Sequence, residues 1–539
     1  MSKSPVAEAP VQKPAPAATG IRRLRGHPWL SLLAVALGVM LVALDGTIVA
    51  LDGTIVAIAS PAIQKDLDAS LSDIQWVTNA YLLALAVSLI TVGKLGDRFG
   101  HTRIFLTGAV GFVASSVGIG LTDDIKVMIG LRVLQGLFGA MLQPTALGII
   151  RSTFPPEKLN SAIGIWGAVV AASTAAGPIV GGLLVEHVNW ESCFYVNVPV
   201  GIVAVVMGLL FLKDTERDQD SKSFDVPGIV LLSGALFLLV WALIKAPDYG
   251  WGDTKTLGFL GATLVVGLLF VLRESRTKEP LLPLRLFRSL PLSAGTVLIL
   301  MLAFCLFGAM FYMTFYLQNV HGLSAVDAAV RMLPLTGLMV VGAPLAGVLI
   351  NRFGPRLPIV VGMLVTAGAL FGLGGLDTGS GANDTLVWFG MLGLGLAPIM
   401  VGATEVIVGH AEVELAGVAG GLQSTAMQVG GTLGTAVLGA VMTAKLNDVF
   451  TERWSAAHLP PLRGEQLAQA KEAVSVGVAP VTPKTPAPVV EVITNITHHA
   501  FMDGMHLAFV AAGVVALVGA AIGLLTKQGR KVEGAAVHI

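Results

Sequence analysis

The sequence predicts an all-α membrane protein of the two-bundle kind, with fourteen transmembrane helices: two parallel six-helix bundles and an inserted helix pair. Three observations carry that expectation. Of 539 residues, 54% are hydrophobic and 13% charged, against about 25% charged in a soluble protein. The apolar residues gather into runs of the roughly 20 residues that cross a bilayer core of about 30 Å. A loop sequence also recurs at matched positions in the two halves of the chain, as parallel internal repeats require.

Spans fall near 29–63, 75–94, 103–121, 127–150, 160–184 and 193–212, making an N-terminal bundle over 29–213. Two more, 226–245 and 256–272, make the inserted pair over 226–273. The last six, 294–317, 329–350, 357–376, 386–409, 420–444 and 504–526, make a C-terminal bundle over 294–526. Residues 1–28 read as a disordered cytoplasmic tail, because the Ala/Pro-rich start lacks the apolar core of a cleaved signal, and 527–539 as a second tail. Most connections are short. The exception, 445–500, contains Val478–Val490 (VAPVTPKTPAPVV) and reads as a long, extended outer loop. The first run is too long for one crossing: 35 residues make about 52 Å of helix, so it is expected to kink, tilt or project.

Lysine and arginine set the orientation. With a cytoplasmic N-terminus, 23 of the 34 fall in inner segments and 10 in outer ones, while Arg132 stays inside span 4. That excess follows the positive-inside rule and puts both termini of a multi-pass cell-membrane protein in the cytoplasm. The 34 basic residues balance 34 acidic ones, and a chain without net charge is a poor nucleic-acid partner. Cys193 and Cys305 lie in separate apolar stretches and read as packing residues, with no metal site and no disulfide framework. No G-x-x-x-x-G-K-[ST], H-E-x-x-H or G-x-S-x-G pattern occurs, which argues against ATP use and against a hydrolytic enzyme. The expectation is a monomer in the lipid bilayer that needs no cofactor.

Charge inside the bilayer costs about 2.5–3.5 kcal/mol per group on insertion scales, so each such residue is a functional candidate. Asp45 and Asp52 lie in span 1, Arg132 in span 4 and Glu405 in span 12. Proton coupling requires a carboxylate that changes protonation between the two sides, biased by a fixed cation or polar group. The aspartates arise from a tandem duplication, LDGTIVA at 44–50 and 51–57, which puts them on nearly the same helix face about 10.5 Å apart. Counted from residue 63 as the outer end of span 1, Asp52 matches the depth of Arg132 better, so Asp52 is the favoured partner and Asp45 the alternative. Glu405, four residues from the inner end of span 12, either snorkels to water or carries cations or protons at the inner mouth.

The loop after span 2 reads GKLGDRFGHTR (Gly93–Arg103), and the loop after span 10 reads GVLINRFGPR (Gly347–Arg356). Gly93 and Gly100 allow a tight turn, while Asp97, Arg98 and Arg103 are placed to bridge helix ends across the seam between halves. LRVLQGLFGA (Leu131–Ala140), AAGPIVGG (Ala175–Gly182) and LDGTIVAIASPAI (Leu51–Ile63) complete the set. Together these resemble the motifs of the major facilitator superfamily, and within it the fourteen-span drug:proton antiporters of the Emr/Qac type. The chain departs from that pattern at His101 and Thr102, where basic residues are usual, and at Glu191-Ser192 after Trp190.

The resemblance implies a proton-coupled antiporter that expels hydrophobic drugs or an antibiotic by alternating access and takes its energy from the proton gradient. Gly177, Pro178, Gly181 and Gly182 would be the antiporter motif of span 5, where small residues and a proline-induced break set the rocking hinge. Substrate contacts are expected from Gln135 in span 4, from Phe304, Phe307, Phe311, Tyr312, Phe315 and Tyr316 in span 9, from Gln423 and Gln428 in span 13, and from Glu405. Aromatic rings with a few polar tips suit large, flat, amphipathic molecules. Glutamines where some relatives carry carboxylates point away from a strictly cationic substrate. A facilitator-type importer of a nutrient or metabolite is the alternative, since it keeps the fold without needing the Gly-Pro motif. The Ala/Gly/Val-rich composition fits a GC-rich actinobacterial source, where such exporters expel a producer's own antibiotic, here expected to be an aromatic polyketide.

Overall fold

A computed structural model describes residues 24–50, 63, 66–67, 71–213, 225–277, 280–412, 415–482 and 485–527. Among these residues there is no β-strand, and thirteen helices are long and apolar enough to cross a membrane. The first bundle holds α1 (Pro28–Ala50), α2 (Leu71–Phe99), α3 (His101–Leu121), α4 (Ile125–Thr153), α5 (Pro156–His187) and α6 (Ser192–Phe211). The inserted pair is α7 (Val226–Tyr249) and α8 (Thr254–Glu274). The second bundle holds α9 (Leu290–Val320), α10 (Ala325–Phe353), α11 (Arg356–Gly374), α12 (Ala382–His410), α13 (Ala416–Ala456) and α14 (Ala487–Gly523). The 32-residue α5 is also of crossing length, which brings the helices of that length to fourteen.

Several boundaries differ from those the hydropathy gives. The described part of α1 ends at Ala50, so the expected kink or projection of a 35-residue first span, and Asp52 with it, lies outside the described residues. The 445–500 segment is mostly helical: α13 continues to Ala456, a short helix runs Glu465–Ser475, and α14 starts at Ala487. Leu446, Val449 and Phe450 are buried, which gives the extra turns of α13 an apolar face to pack. The Pro460-Pro461 pair follows the end of that helix, and Pro488 sits in the first turn of α14, where a missing N–H costs nothing. In α5 the helix continues through Pro178 from Pro156 to His187, so the expected proline-induced break is absent. The interruption falls instead in α4, at Met141-Leu142, just before Pro144.

The packing repeats with a period of eight helices. In the first bundle α1 lies on α5 and α6, α2 on α4, and α3 on α4 and α6; in the second, α9 lies on α13 and α14, α10 on α12, and α11 on α12 and α14. The bundles meet where α2 lies against α13 and α5 against α10, two contacts that exchange under the same shift. Lipid tails are as apolar as leucine, so close approach has to hold this seam. Glycines supply it: a Cβ on Gly421 would press on the Leu89 carbonyl, and one on Gly164 on the Ala343 carbonyl. The inserted helices pack on each other, and α7 also reaches α2 and α13.

Candidate functional site

Asp45 of α1 and Arg132 of α4 form an ion pair of 2.9 Å, both with no solvent exposure. Asp45 Oδ2 accepts from Arg132, and Asp45 Oδ1 accepts from Gln135 Nε2 at 3.1 Å and from Asn197 Nδ2 at 3.0 Å. Gln135 Nε2 also donates to Ser116 Oγ at 2.8 Å, and Arg132 Nε donates to the Val77 carbonyl at 3.1 Å. The guanidinium lies 4.2 Å from the Tyr81 ring centroid and 5.6 Å from that of Phe194, a desolvated cation–π geometry. Local sequence explains the convergence. Arg132 and Gln135 are three residues apart on one face of α4, as Val77 and Tyr81 are four apart on α2. Gly136 lets the two helices touch, since a Cβ there would strike the Tyr81 carbonyl.

Depth along the sequence favours Asp52 as the partner of Arg132; Asp52 lies outside the described residues, and among these the arginine pairs with Asp45. Gln135, expected to touch substrate, is fully buried in this network instead. Sequence reasoning missed Asn197, Ser116 and Tyr81; the available signal was polar residues inside otherwise apolar spans.

The repeated loops form a pair of latches at one end of the molecule. Asp97 at the end of α2 accepts from Gly417 N at 2.8 Å and Val418 N at 3.1 Å, so it caps the first turn of α13 in the other bundle. A Cβ on Gly93 would collide with the Gly417 carbonyl, and Gly100 turns the chain at φ 96°. Asn351, the counterpart of Asp97, accepts from Asn160 Nδ2 of α5 at 2.7 Å, and a Cβ on Gly347 would press on the Asn160 carbonyl. One latch is therefore charged and the other neutral. The departures from the motif have tasks: His101 Nε2 lies 3.2 Å from Asp97 Oδ1, and Thr102 donates to the Lys213 carbonyl at 2.8 Å. Arg98 lies over the Phe99 ring, as Arg352 lies over Phe353. Arg103 is exposed. Gly177 and Gly181 are buried within α5, and the Gly181 carbonyl faces Cys193 Sγ at 3.8 Å; of Pro178 and Gly182 only their place in the helix is described.

A cavity of about 800 Å³ lies between the bundles, on the far side of the latches. Phe307, Phe311, Tyr312 and Phe315 of α9 and Gln428 of α13 border it, as does Tyr81, the ring that carries Arg132. Among the described residues, no Asp, Glu, Lys, Arg or His borders it. Five expected contacts lie elsewhere, Gln135 and Glu405 among them. Phe304 is packed where Gly434 approaches its backbone, the Tyr316 hydroxyl donates to the Asp377 carbonyl at 2.8 Å, and Gln423 is buried with its Oε1 accepting from Ser424. Glu405 is 4% exposed and does not snorkel.

Paired bundles that clasp at one end and enclose a neutral cavity beside a buried acid–base pair are the architecture of a rocking membrane transporter. The chain belongs to the major facilitator superfamily, whose profile matches residues 35–435. It is 58% identical over 512 residues to the tetracenomycin C resistance and export protein of Streptomyces glaucescens, covering 95% of this chain and 94% of that one. It is 31% identical over 502 residues to the multidrug efflux pump LfrA of Mycolicibacterium smegmatis, covering 92% and 95%. The solved human organic anion transporter TETRAN shares the fold, with a TM-score of 0.58 at 11% identity over 92% of this chain and 99% of that one.

Two outcomes follow from this geometry. Arg132→Met leaves Asp45 buried without its cation and lowers unfolding stability in detergent by about 3–5 kcal/mol; combining it with Asp45→Asn recovers part of that loss, a coupling that a double-mutant cycle of thermal unfolding measures. Asp97→Asn removes the charge from the α13 cap, worth about 0.3–2 kcal/mol, and spin-label distances between Cys substitutions across the latch shift toward the open population.

Proposed function

We propose that the chain exports an uncharged, aromatic, amphipathic antibiotic in exchange for protons. The observation that carries this reading is the neutral 800 Å³ cavity with one shared wall residue: Tyr81 borders the cavity and lies on Arg132. Rings from α9 and a few amide and hydroxyl groups match a flat polycyclic ligand better than a cation or a sugar. The name of the 58% identical relative, an antibiotic resistance and export protein, supports the same class of cargo.

All three donors on Asp45 present hydrogens to it, so a proton added to the carboxylate displaces one of them and releases Arg132. The arginine then takes new partners, and Tyr81 moves with it at the cavity wall. Proton binding and substrate binding thereby compete for one arrangement of α1, α2 and α4, which is the linkage that antiport requires. The placement of 23 of 34 basic residues supports a plasma-membrane protein with both termini and both latches on the cytoplasmic side. In that orientation the present state is closed inward, and the cavity belongs to the outward side. Entry of one proton for each neutral substrate moves charge, so the membrane potential adds about 2.3 kcal/mol per 100 mV.

The test is uptake of tetracenomycin C into everted vesicles with an acidified interior. The wild type accumulates the compound, and Asp45→Asn falls to passive leak. Full gradient-driven uptake by Asp45→Asn overturns the coupling assignment.

A further inference from the structure

Helices α7 and α8 have no partner in the eight-helix repeat, and rocking of two bundles gives them no task. Of the two, α7 makes the larger contact with the bundles, lying on both α2 and α13. Those helices meet at one seam, so α7 flanks the seam from the side. Val240, Leu243, Ile244 and Ala246 of α7, with Trp251 just beyond it, border the central cavity. Their spacing of three to four residues places the helical ones on a single face. On the neighbouring face Trp241 stacks with Phe237, and its ring lies 5.3 Å from that of Trp76 in α2 and 6.5 Å from that of Phe259 in α8. Nearer the latch end, Ser233 Oγ donates to the Val87 carbonyl of α2 at 3.4 Å. Beyond Tyr249 the chain turns at Gly250, with φ 95°, and at Gly250 and Gly252 a Cβ would meet nothing within 4 Å.

We propose that α7 is a substrate-contacting wall of the cavity and that Leu243, Ile244 and Trp251 determine which apolar molecules it accepts. This rests on the transport reading and assigns part of its binding site to the inserted helix pair. Branched aliphatic chains and one indole from α7, added to the phenyl rings of α9, make a slot for a planar, fused-ring molecule. Leu243 is 3% exposed, so a reagent in water reaches this position through the cavity.

The test uses a background in which buried Cys193 and Cys305 are replaced by alanine. Leu243→Cys and Ile244→Cys are compared with Leu264→Cys on α8, which is 69% exposed on the outer face. Membranes are treated with a maleimide with and without tetracenomycin C. The expected result is slower labelling at 243 and 244 with the compound present and unchanged labelling at 264. In transport, Leu243→Ala shifts the kcat/KM ratio between tetracenomycin C and a smaller uncharged anthraquinone by about tenfold, the discrimination a few methylenes supply in an apolar pocket. A purely structural helix lowers both substrates equally, and that result with unprotected labelling at both positions overturns the proposal. Protection without transport of either compound leaves the wall assigned and refutes the transport reading instead.

Discussion

The contact between Asp45 and Arg132 constrains everything around it. Two charges without solvent exposure are tolerated only when each finds partners, because desolvation costs several kcal/mol per ion. The first bundle meets that requirement with five helices: α1 brings the aspartate, α4 the arginine and Gln135, α3 Ser116, α6 Asn197, and α2 the Val77 carbonyl and the Tyr81 ring. Moving any of these helices relative to the others breaks a contact of this network. That ties the state of one carboxyl group to the geometry of a whole bundle.

Helix α2 carries this constraint toward the seam. Tyr81 lies at its middle and Asp97 near its end, sixteen residues apart, about 24 Å of helix. Asp97 caps α13 of the opposite bundle, so a shift of α2 at the charge cluster is felt at the latch. The two latches hold the same place in their repeats but differ in chemistry. The carboxylate on a helix N-terminus is stronger than the neutral Asn160–Asn351 bond, since a charged acceptor meets the positive end of the helix dipole.

The helix count and the repeat are legible because both are written locally, in apolar runs and in a loop that occurs twice. What failed depends on tertiary context. The proline-rich run around residue 480 outweighed the apolar face of Leu446, Val449 and Phe450, which extends α13. The duplicated LDGTIVA offered two aspartates and no local means to choose between them, and the Asp45–Arg132 contact shows only once α1 is packed against α4. Neutral polar residues posed the other difficulty. Gln135 and Gln428 look alike in sequence, yet one completes a buried network and the other borders the cavity. In α9, Phe307, Phe311 and Phe315 share a face at four-residue spacing and reach the cavity together, a pattern that periodicity contains once the facing side is known.

If the ion pair is the coupling element, binding the antibiotic must change its protonation even without a membrane. The direct measurement is proton release from the detergent-solubilised protein, followed with a pH indicator in weak buffer as tetracenomycin C is added. The account predicts proton release on binding by the wild type and none by Asp45→Asn, with the compound still bound. Equal release from both proteins would place the coupling proton on another group and contradict the central role of this pair.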